Sequence, residues 1–269
     1  MIEAGRTVPA GTAAASARGR RPESIWRQEV GRRRKNGSMV PFPRCNLCGW
    51  PLVRLDRFGF GTRCVRCLST QIHRAVGWVI DGLSLPAGAR VYELSSRGAL
   101  FSYLRRRWPD LYFSEYFGDV SPGEQKNGVP CQDLQRLRLP DASFDLVTST
   151  EVFEHVPDDR KGFSEVYRVL KPGGYKVFSV PLSMEERTRE RAVLEAGRVR
   201  HLLEPEYHSD RMRGRWTVLA FRNYGSDIAE RLRDAGFTAE FREVNSDRHR
   251  IRHQYVVVAR KPPEADGEW

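Results

Sequence analysis

Four cysteines stand in two pairs, Cys45 with Cys48 and Cys64 with Cys67, in a CxxC-x15-CxxC arrangement. A two-residue gap lets both sulfurs of one knuckle turn converge on a tetrahedral ion at ~2.3 Å. Gly49 follows the first pair and Leu68-Ser69 the second, as tight turns require. Arg44, Arg63 and Arg66 are placed to temper the negative charge of four thiolates around one divalent ion. Two disulfides, or four reduced core cysteines, are the alternatives. The N-terminal residues lack the apolar h-region of a secretory signal, which disfavours disulfides and leaves Zn²⁺ as the leading reading. A closed Cys₄ set has no open position, so the ion is expected to be structural. The fifth cysteine, Cys131, reads as a small buried side chain rather than a nucleophile. His73 reads as surface packing, because the cysteine set is already complete.

A second group of residues is acidic and glycine-rich. The apolar strand Ala89–Leu94 carries Glu93 near its tip and runs into Ser95-Ser-Arg-Gly98 and a helix. A further strand, Leu111–Ser114, ends on Glu115, 22 residues after Glu93. Then follow Gln132-Asp133, the run Asp141–Thr148, Glu151-Val-Phe-Glu-His155, and Leu170-Lys-Pro-Gly-Gly174 before a strand from Tyr175 to Val180. Strand, glycine turn, helix and acid-tipped strand is how an open parallel sheet holds an adenosine-containing ligand at its carboxyl edge.

This run, D-x-S-F-D … E-H-V … L-K-P-G-G, resembles the class I S-adenosylmethionine-dependent methyltransferases, and most closely their type 11 small-molecule branch. The resemblance spans roughly Leu85 to Lys261. It implies an α/β fold, a doubly wound, Rossmann-like sheet of seven strands, with a small zinc-knuckle module before it. It also implies S-adenosyl-L-methionine as cofactor. Glu93 would stand beside the cofactor's ammonium, Gly98 would admit close backbone approach, and Glu115 would accept from the ribose hydroxyls. Asp133 would accept from the adenine amino group, and Thr148 to Thr150 would border the methyl group. One departure is visible. Ser95 stands where the family has its first glycine, and Arg97 occupies a normally small position. For the catalytic residues, His155 is either a base or a residue that orients the cofactor loop, and Glu151 is a second candidate.

The elements around these residues divide the chain. Residues 1–40, rich in Ala, Gly, Ser and Arg, read as a disordered basic tail, 41–70 as the zinc module and 71–84 as a linking helix. Residues 85–261 form the methyltransferase domain, and 262–269 are a tail. Of the net +11, nine basic and three acidic residues place +6 in the first forty residues. The remaining +5 weakens the case for a nucleic-acid-binding sheet domain. Arg32–Lys35 could touch phosphates or anionic lipid. No apolar run reaches ~18 residues, so no membrane span is expected and the setting reads as cytoplasmic. From Ser69 to Leu83, Ile72, Ala75, Val76, Val79, Ile80 and Leu83 recur at helical spacing, predicting a helix that ties the module to the sheet.

Residues 181–222 show no strand alternation, and Glu185–Arg191 predicts a helix. The segment is longer than a usual connection and reads as an acceptor-side insertion. His201, Glu204, Glu206, Tyr207, His208 and Asp210 are its candidates for acceptor contacts. The C-terminus predicts a helix, Ser226–Ala235, and two strands, Thr238–Val244 and Gln254–Arg260. Three functions remain open at this point: methyl transfer to a small molecule or glycan, RNA methylation, and a non-catalytic zinc-containing binding protein on the same fold. No Asn-Pro-Pro-Tyr-type motif follows the fourth strand, where Ser149-Thr150-Glu151-Val152 stands, which argues against methylation of exocyclic base amines.

Overall fold

Parallel strands joined through helices organise the computed structural model, which describes residues 42–55, 61–210 and 214–264. The expectations for the basic tail and for the last five residues lie outside the described residues. The main sheet has the order β16 (Thr238–Ser246), β17 (Ile251–Arg260), β8 (Leu170–Ser179), β7 (Phe144–Thr150), β3 (Val91–Glu93), β4 (Tyr112–Phe113). Neighbours from β8 to β4 run parallel, whereas β17 is antiparallel to both β8 and β16. The expected seventh strand is reduced to a parallel bridge between Glu115 and Cys131. Its preceding residues are already committed to a small antiparallel hairpin, β5 (Gln125–Lys126) with β6 (Val129–Pro130), and Pro130 has no N–H to give to a ladder.

Strand side chains alternate between two cores. Val91 and Leu146 enter one, with helix α1 (Gln71–Asp81) and helix α2 (Gly98–Arg107). Tyr92 and Val147 enter the other, with helix α3 (Asp159–Val169) and helix α4 (Ile228–Asp234). Helix α1 forms where the apolar spacing predicted it. Its N-terminus is closed by Thr70, whose hydroxyl accepts from the His73 N–H, while the Thr70 N–H donates to His73 Nδ1 at 3.2 Å. His73 is therefore a capping residue.

The cysteine module does not stand apart. Its hairpin, β1 (Leu52–Arg54) with β2 (Thr62–Cys64), brings Cys45, Leu47, Leu52 and Cys64 into the same buried cluster as Ala75, Val91, Leu100 and Val256. From Phe42 onward the chain forms one compact unit.

The insertion is built of strands, not of the helix predicted at Glu185–Arg191. β9 (Leu182–Ser183) and β10 (Arg189–Glu190) flank β15 (Arg222–Gly225). Two hairpins follow β10 in the chain: β11 (Ala192–Glu195) with β12 (Arg198–His201), and β13 (Tyr207–Asp210) with β14 (Gly214–Leu219). Glu185–Arg191 has no apolar stripe to bury as a helix. Its polar groups find partners across the chain instead, Thr188 N–H on Asp227 at 2.7 Å and Glu190 on Arg222 at 3.1 Å. The first hairpin turns through Ala196 and Gly197, both at positive φ (48° and 75°), the backbone of a two-residue primed turn.

Candidate active site and metal centre

The four knuckle sulfurs lie together: Cys45 to Cys67 at 3.7 Å, Cys48 to Cys67 at 3.6 Å and Cys48 to Cys64 at 3.4 Å. A tetrahedron with ~2.3 Å bonds has edges of about 3.8 Å, so the set fits one Zn²⁺ and is far too wide for disulfides. Cys67 is lowered to about 4, chiefly by its hydrogen bond with Cys45, whereas burial pushes Cys48 up to about 11. The cation that faces these sulfurs from within the core is Arg74, which the sequence reading passed over as a helix residue. Fully buried, it donates to the Ser69 carbonyl at 2.7 Å, the His249 carbonyl at 2.8 Å and the Arg250 carbonyl at 3.1 Å. Among the expected arginines, Arg44 binds the Gly49 carbonyl at 3.0 Å and Arg66 stacks over Trp50.

At the carboxyl edge of the sheet, Glu93 ends β3 and Glu115 follows β4. Gly98 opens α2 at a φ of 99°, where a side chain is strained, and a Cβ built there would have open space before it. Ser95, which replaces a glycine, and its neighbour Ser96 have a defined task. Ser96 N–H and hydroxyl donate to Glu115 Oε1 at 2.8 and 2.9 Å, and the Ser95 hydroxyl donates to the same oxygen at 3.3 Å. Oε2 of Glu115 takes no part in this cluster. Arg97 is exposed, so its bulk does not fill the turn. Asp133 uses Oδ1 in a turn, accepting from Gln135 N–H at 2.9 Å. Asp133 also lines a cavity of about 440 Å³ with Tyr116, Phe117 and Gly118. Cys131 lies buried beside it, its thiol on the Val120 carbonyl at 3.3 Å. Thr150, at the end of β7, keeps a buried hydroxyl oxygen without a hydrogen-bond partner among the described residues.

Beneath this edge lies a buried pair of opposite charge type. Glu93 accepts from the Thr148 hydroxyl, and burial raises its carboxyl to about 8. Lys176, in β8, is fully buried over the rings of Phe153 and Phe178 and donates to Ser149 Oγ at 2.7 Å. Burial lowers Lys176 from its ordinary 10.5 to about 7, against the opposing pull of Glu93. A base depressed in the folded state binds fewer protons there than in the unfolded chain. Its contribution is therefore complete above pH 10.5 and disappears as pH falls through 7. Lys176→Met should thus gain stability over the parent at pH 6.5 and lose that advantage towards pH 10, which paired melting curves at the two pH values would test. A parallel offset at both would contradict the buried lysine's assigned titration.

Beyond β7 the chain turns through Glu151, itself at a positive φ of 54°, into a 3₁₀ turn, Phe153–His155. Burial raises Glu151 and, more strongly, Glu154 above the usual carboxylate range. Neither Glu154 oxygen has a hydrogen-bond partner among the described residues. His155 Nδ1 lies 2.8 Å from the Leu219 carbonyl, so Nδ1 carries the proton and Nε2 the lone pair. Nε2 faces Nδ1 of His208, 3.2 Å away across 53 residues of sequence. Glu206 Oε1 lies 3.0 Å from His208 Nε2, and Glu206 is itself held by Asn223 at 3.2 Å.

Of the insertion's candidates, the fold thus brings Glu206 and His208 to His155. His201, Glu204 and Tyr207 are exposed or nearly so; Glu204 gives its carbonyl to Arg191 at 2.5 Å. The side chain of Asp210 lies outside the described residues. Sequence reading missed Arg222, which is 3% exposed. It donates to the carbonyls of Phe153 (3.2 Å), Val156 (2.6 Å) and Pro157 (2.7 Å) and pairs with Glu190 at 3.1 Å. Arg231 shares Glu190 and also reaches Asp159. The insertion is thereby bolted to the turn that carries Glu154 and His155.

Residues 100–178 match a family model described as a methyltransferase domain. Phthiotriol/phenolphthiotriol dimycocerosates methyltransferase 1 of Mycobacterium ulcerans is 29% identical over 140 residues, 48% of this chain and 51% of that protein. Malonyl-acyl-carrier-protein O-methyltransferase of a Marinomonas species is 49% identical over 49 residues, 18% of each chain. An S-adenosylmethionine-dependent methyltransferase from Mesorhizobium loti superposes with a TM-score of 0.45 at 19% identity, covering 71% of this chain and 98% of that one. The chain spans about half or less of the length of these two curated relatives. Among the described residues no helix is long and apolar enough to cross a membrane. The sheet order and the acid-tipped strands thus frame the segment, residues 100–178, that matches a methyltransferase domain.

Proposed function

We propose that this protein transfers a methyl group from S-adenosylmethionine to a small-molecule or glycan acceptor. The observation that carries this reading is the carboxyl edge of the sheet, where Glu93, the Ser95–Gly98 turn and Glu115 adjoin one another at the tips of neighbouring strands. The residues fit the cofactor. Gly98 leaves open space where a Cβ would stand, Glu115 retains one carboxylate oxygen outside its serine cluster, and the Thr150 hydroxyl is buried and unpartnered. When bound, S-adenosylmethionine supplies the electrophilic methyl of a sulfonium. Glu115 would accept from the ribose, Asp133 from the adenine, and Ser95 and Gly98 would line the amino-acid end above Glu93. Thr150 would border the methyl group, and Glu151 and His155 would face the acceptor. The protein's task is alignment and the exclusion of water, since charge disappears in the displacement. The insertion at 181–222, joined to the 3₁₀ turn by Arg222, would cover the acceptor.

The four knuckle thiolates would hold a structural Zn²⁺ that takes no part in transfer, and reduced thiols of this kind accord with a cytoplasmic setting. Calorimetric titration with S-adenosylhomocysteine tests the functional reading. Glu115→Ala and Asp133→Ala are each expected to weaken binding ten- to a hundred-fold, about 1.5 to 3 kcal/mol for a lost carboxylate acceptor. A parent protein without measurable affinity would leave the chain as a non-catalytic zinc-containing protein, and two variants that bind like the parent would put the cofactor elsewhere.

A further inference from the structure

The cluster formed by Glu154, His155 and His208 is more than a base and its neighbours. The three atoms that face one another are Glu154 Oε1, His155 Nε2 and His208 Nδ1. Their separations are 3.2 Å between the nitrogens, 3.6 Å from Oε1 to His155 and 3.8 Å from Oε1 to His208. The circle through three points so spaced has a radius of about 2.1 Å, within the ~2.0–2.2 Å range of metal–imidazole and metal–carboxylate bonds. One point therefore lies at bonding distance from all three donors.

The tautomers agree with this. The Leu219 carbonyl accepts from His155 Nδ1–H and the Glu206 carboxylate from His208 Nε2–H, so in the neutral imidazoles the remaining nitrogens turn lone pairs inward. Two lone pairs 3.2 Å apart repel unless something positive lies between them. An outer carbonyl or carboxylate that fixes the far N–H of each imidazole is the support that metal-binding histidines generally have. Glu154 supplies an independent observation. It is 0% exposed, both of its oxygens lack a hydrogen-bond partner among the described residues, and the half-buried carboxyl of Glu151 lies close enough to disfavour its negative charge further. A buried carboxyl without hydrogen-bond partners stays charged only beside a cation, and a divalent ion among these three donors would supply one.

We propose that Glu154, His155 and His208 bind a divalent transition-metal ion, distinct from the ion of the cysteine knuckles, on the acceptor side of the sheet. Two imidazoles and one carboxylate leave coordination positions open, as catalytic rather than structural sites do. Such an ion takes an acceptor hydroxyl or carboxylate oxygen and eases the release of a hydroxyl proton to solvent. The assignment of an oxygen acceptor rests on the methyltransferase reading above; the binding of the ion does not. His208 and Glu206 belong to the insertion and Glu154 and His155 to the turn after β7, so the site forms only when the insertion is seated.

Cobalt titration of the full chain after mild chelation tests this. Two Co²⁺ per chain are expected, one with the intense near-ultraviolet thiolate bands of the knuckles and one with only weaker visible bands. His208→Gln, on a half-exposed hairpin, and Glu154→Gln should each weaken the second ion at least about a hundredfold and leave the thiolate bands unchanged. Glu206→Gln, which removes only the outer support, should cost about ten- to a hundredfold. A parent protein that binds a single Co²⁺, lost with Cys64→Ser, would overturn the proposal and leave the histidines sharing a proton. Retention of both ions by His208→Gln would overturn it equally. Two ions in a protein without affinity for S-adenosylhomocysteine would uphold the metal site while removing its methyltransferase role.

Discussion

Cys64→Ser is expected to release the Zn²⁺ proposed for the knuckles and to lower the melting of the whole unit, not of an N-terminal module alone. Cys64 and Cys45 are buried among Ala75, Val91, Leu100 and Val256, so the ion's ligands and the sheet's first core are one body. Structural zinc contributes on the order of 10 kcal/mol in small modules, comparable with the total stability of a domain. Even about 5 kcal/mol lost would lower the melting temperature by roughly 10–20 °C for a unit of this size. Metal content and a calorimetric scan of the variant check this together. Zinc lost with an unchanged main transition would show that the knuckles fold on their own account and only lean on the sheet.

Arg222→Ala should be the most damaging single change outside the metal ligands. It removes a buried guanidinium from three backbone carbonyls and leaves Glu190 to Arg231, and Asp159 to Arg231 and the Tyr224 hydroxyl. Breaking such a buried pair costs about 3–5 kcal/mol. The midpoint of denaturant unfolding should fall accordingly, and turnover should fall further than stability does, since the turn bearing Glu154 and His155 loses its clamp. A variant within about 1 kcal/mol of the parent would show that the carbonyls are satisfied without it. Arg222→Lys should not rescue, because an ammonium cannot present the planar fork that these carbonyls meet.

How much of this was legible in the residues differs by element. The clustering of Cys45, Cys48, Cys64 and Cys67 was legible because two-residue gaps have few other uses, and the placement of Glu93 and Glu115 at strand ends because apolar runs stop there. Helix α1 was visible from its apolar period. The insertion was misread: its strands are two to six residues long and held by Arg222, Asp227 and Glu190, so no periodic stripe existed to be seen. The one local signal was Gly197, a residue suited to the positive φ of a hairpin turn. The meeting of His155 with His208 could not be read at all, since it depends on where a hairpin 53 residues downstream is seated. Arg74 and Lys176 were invisible for a different reason. A basic residue on a helix or strand is ordinarily solvated, and only the finished packing turns these two inward.

Arg74 also sets the order in which the protein can be finished. Its carbonyl partners at His249 and Arg250 lie 175 and 176 residues further along the chain, and the Arg44 N–H and carbonyl meet the same β16–β17 turn, at Arg248 and His249. On the ribosome, at ~5–20 residues per second, the first cysteines emerge about ten to forty seconds before the strand that completes their surroundings. During that interval four thiols and a cationic side chain stand without their final enclosure, open to oxidation or to the wrong ion. The β16–β17 hairpin is thus the lid of the cysteine site, and a ribosome that stalls before Ile251 would hold a nascent chain whose sulfur cluster is still unsealed.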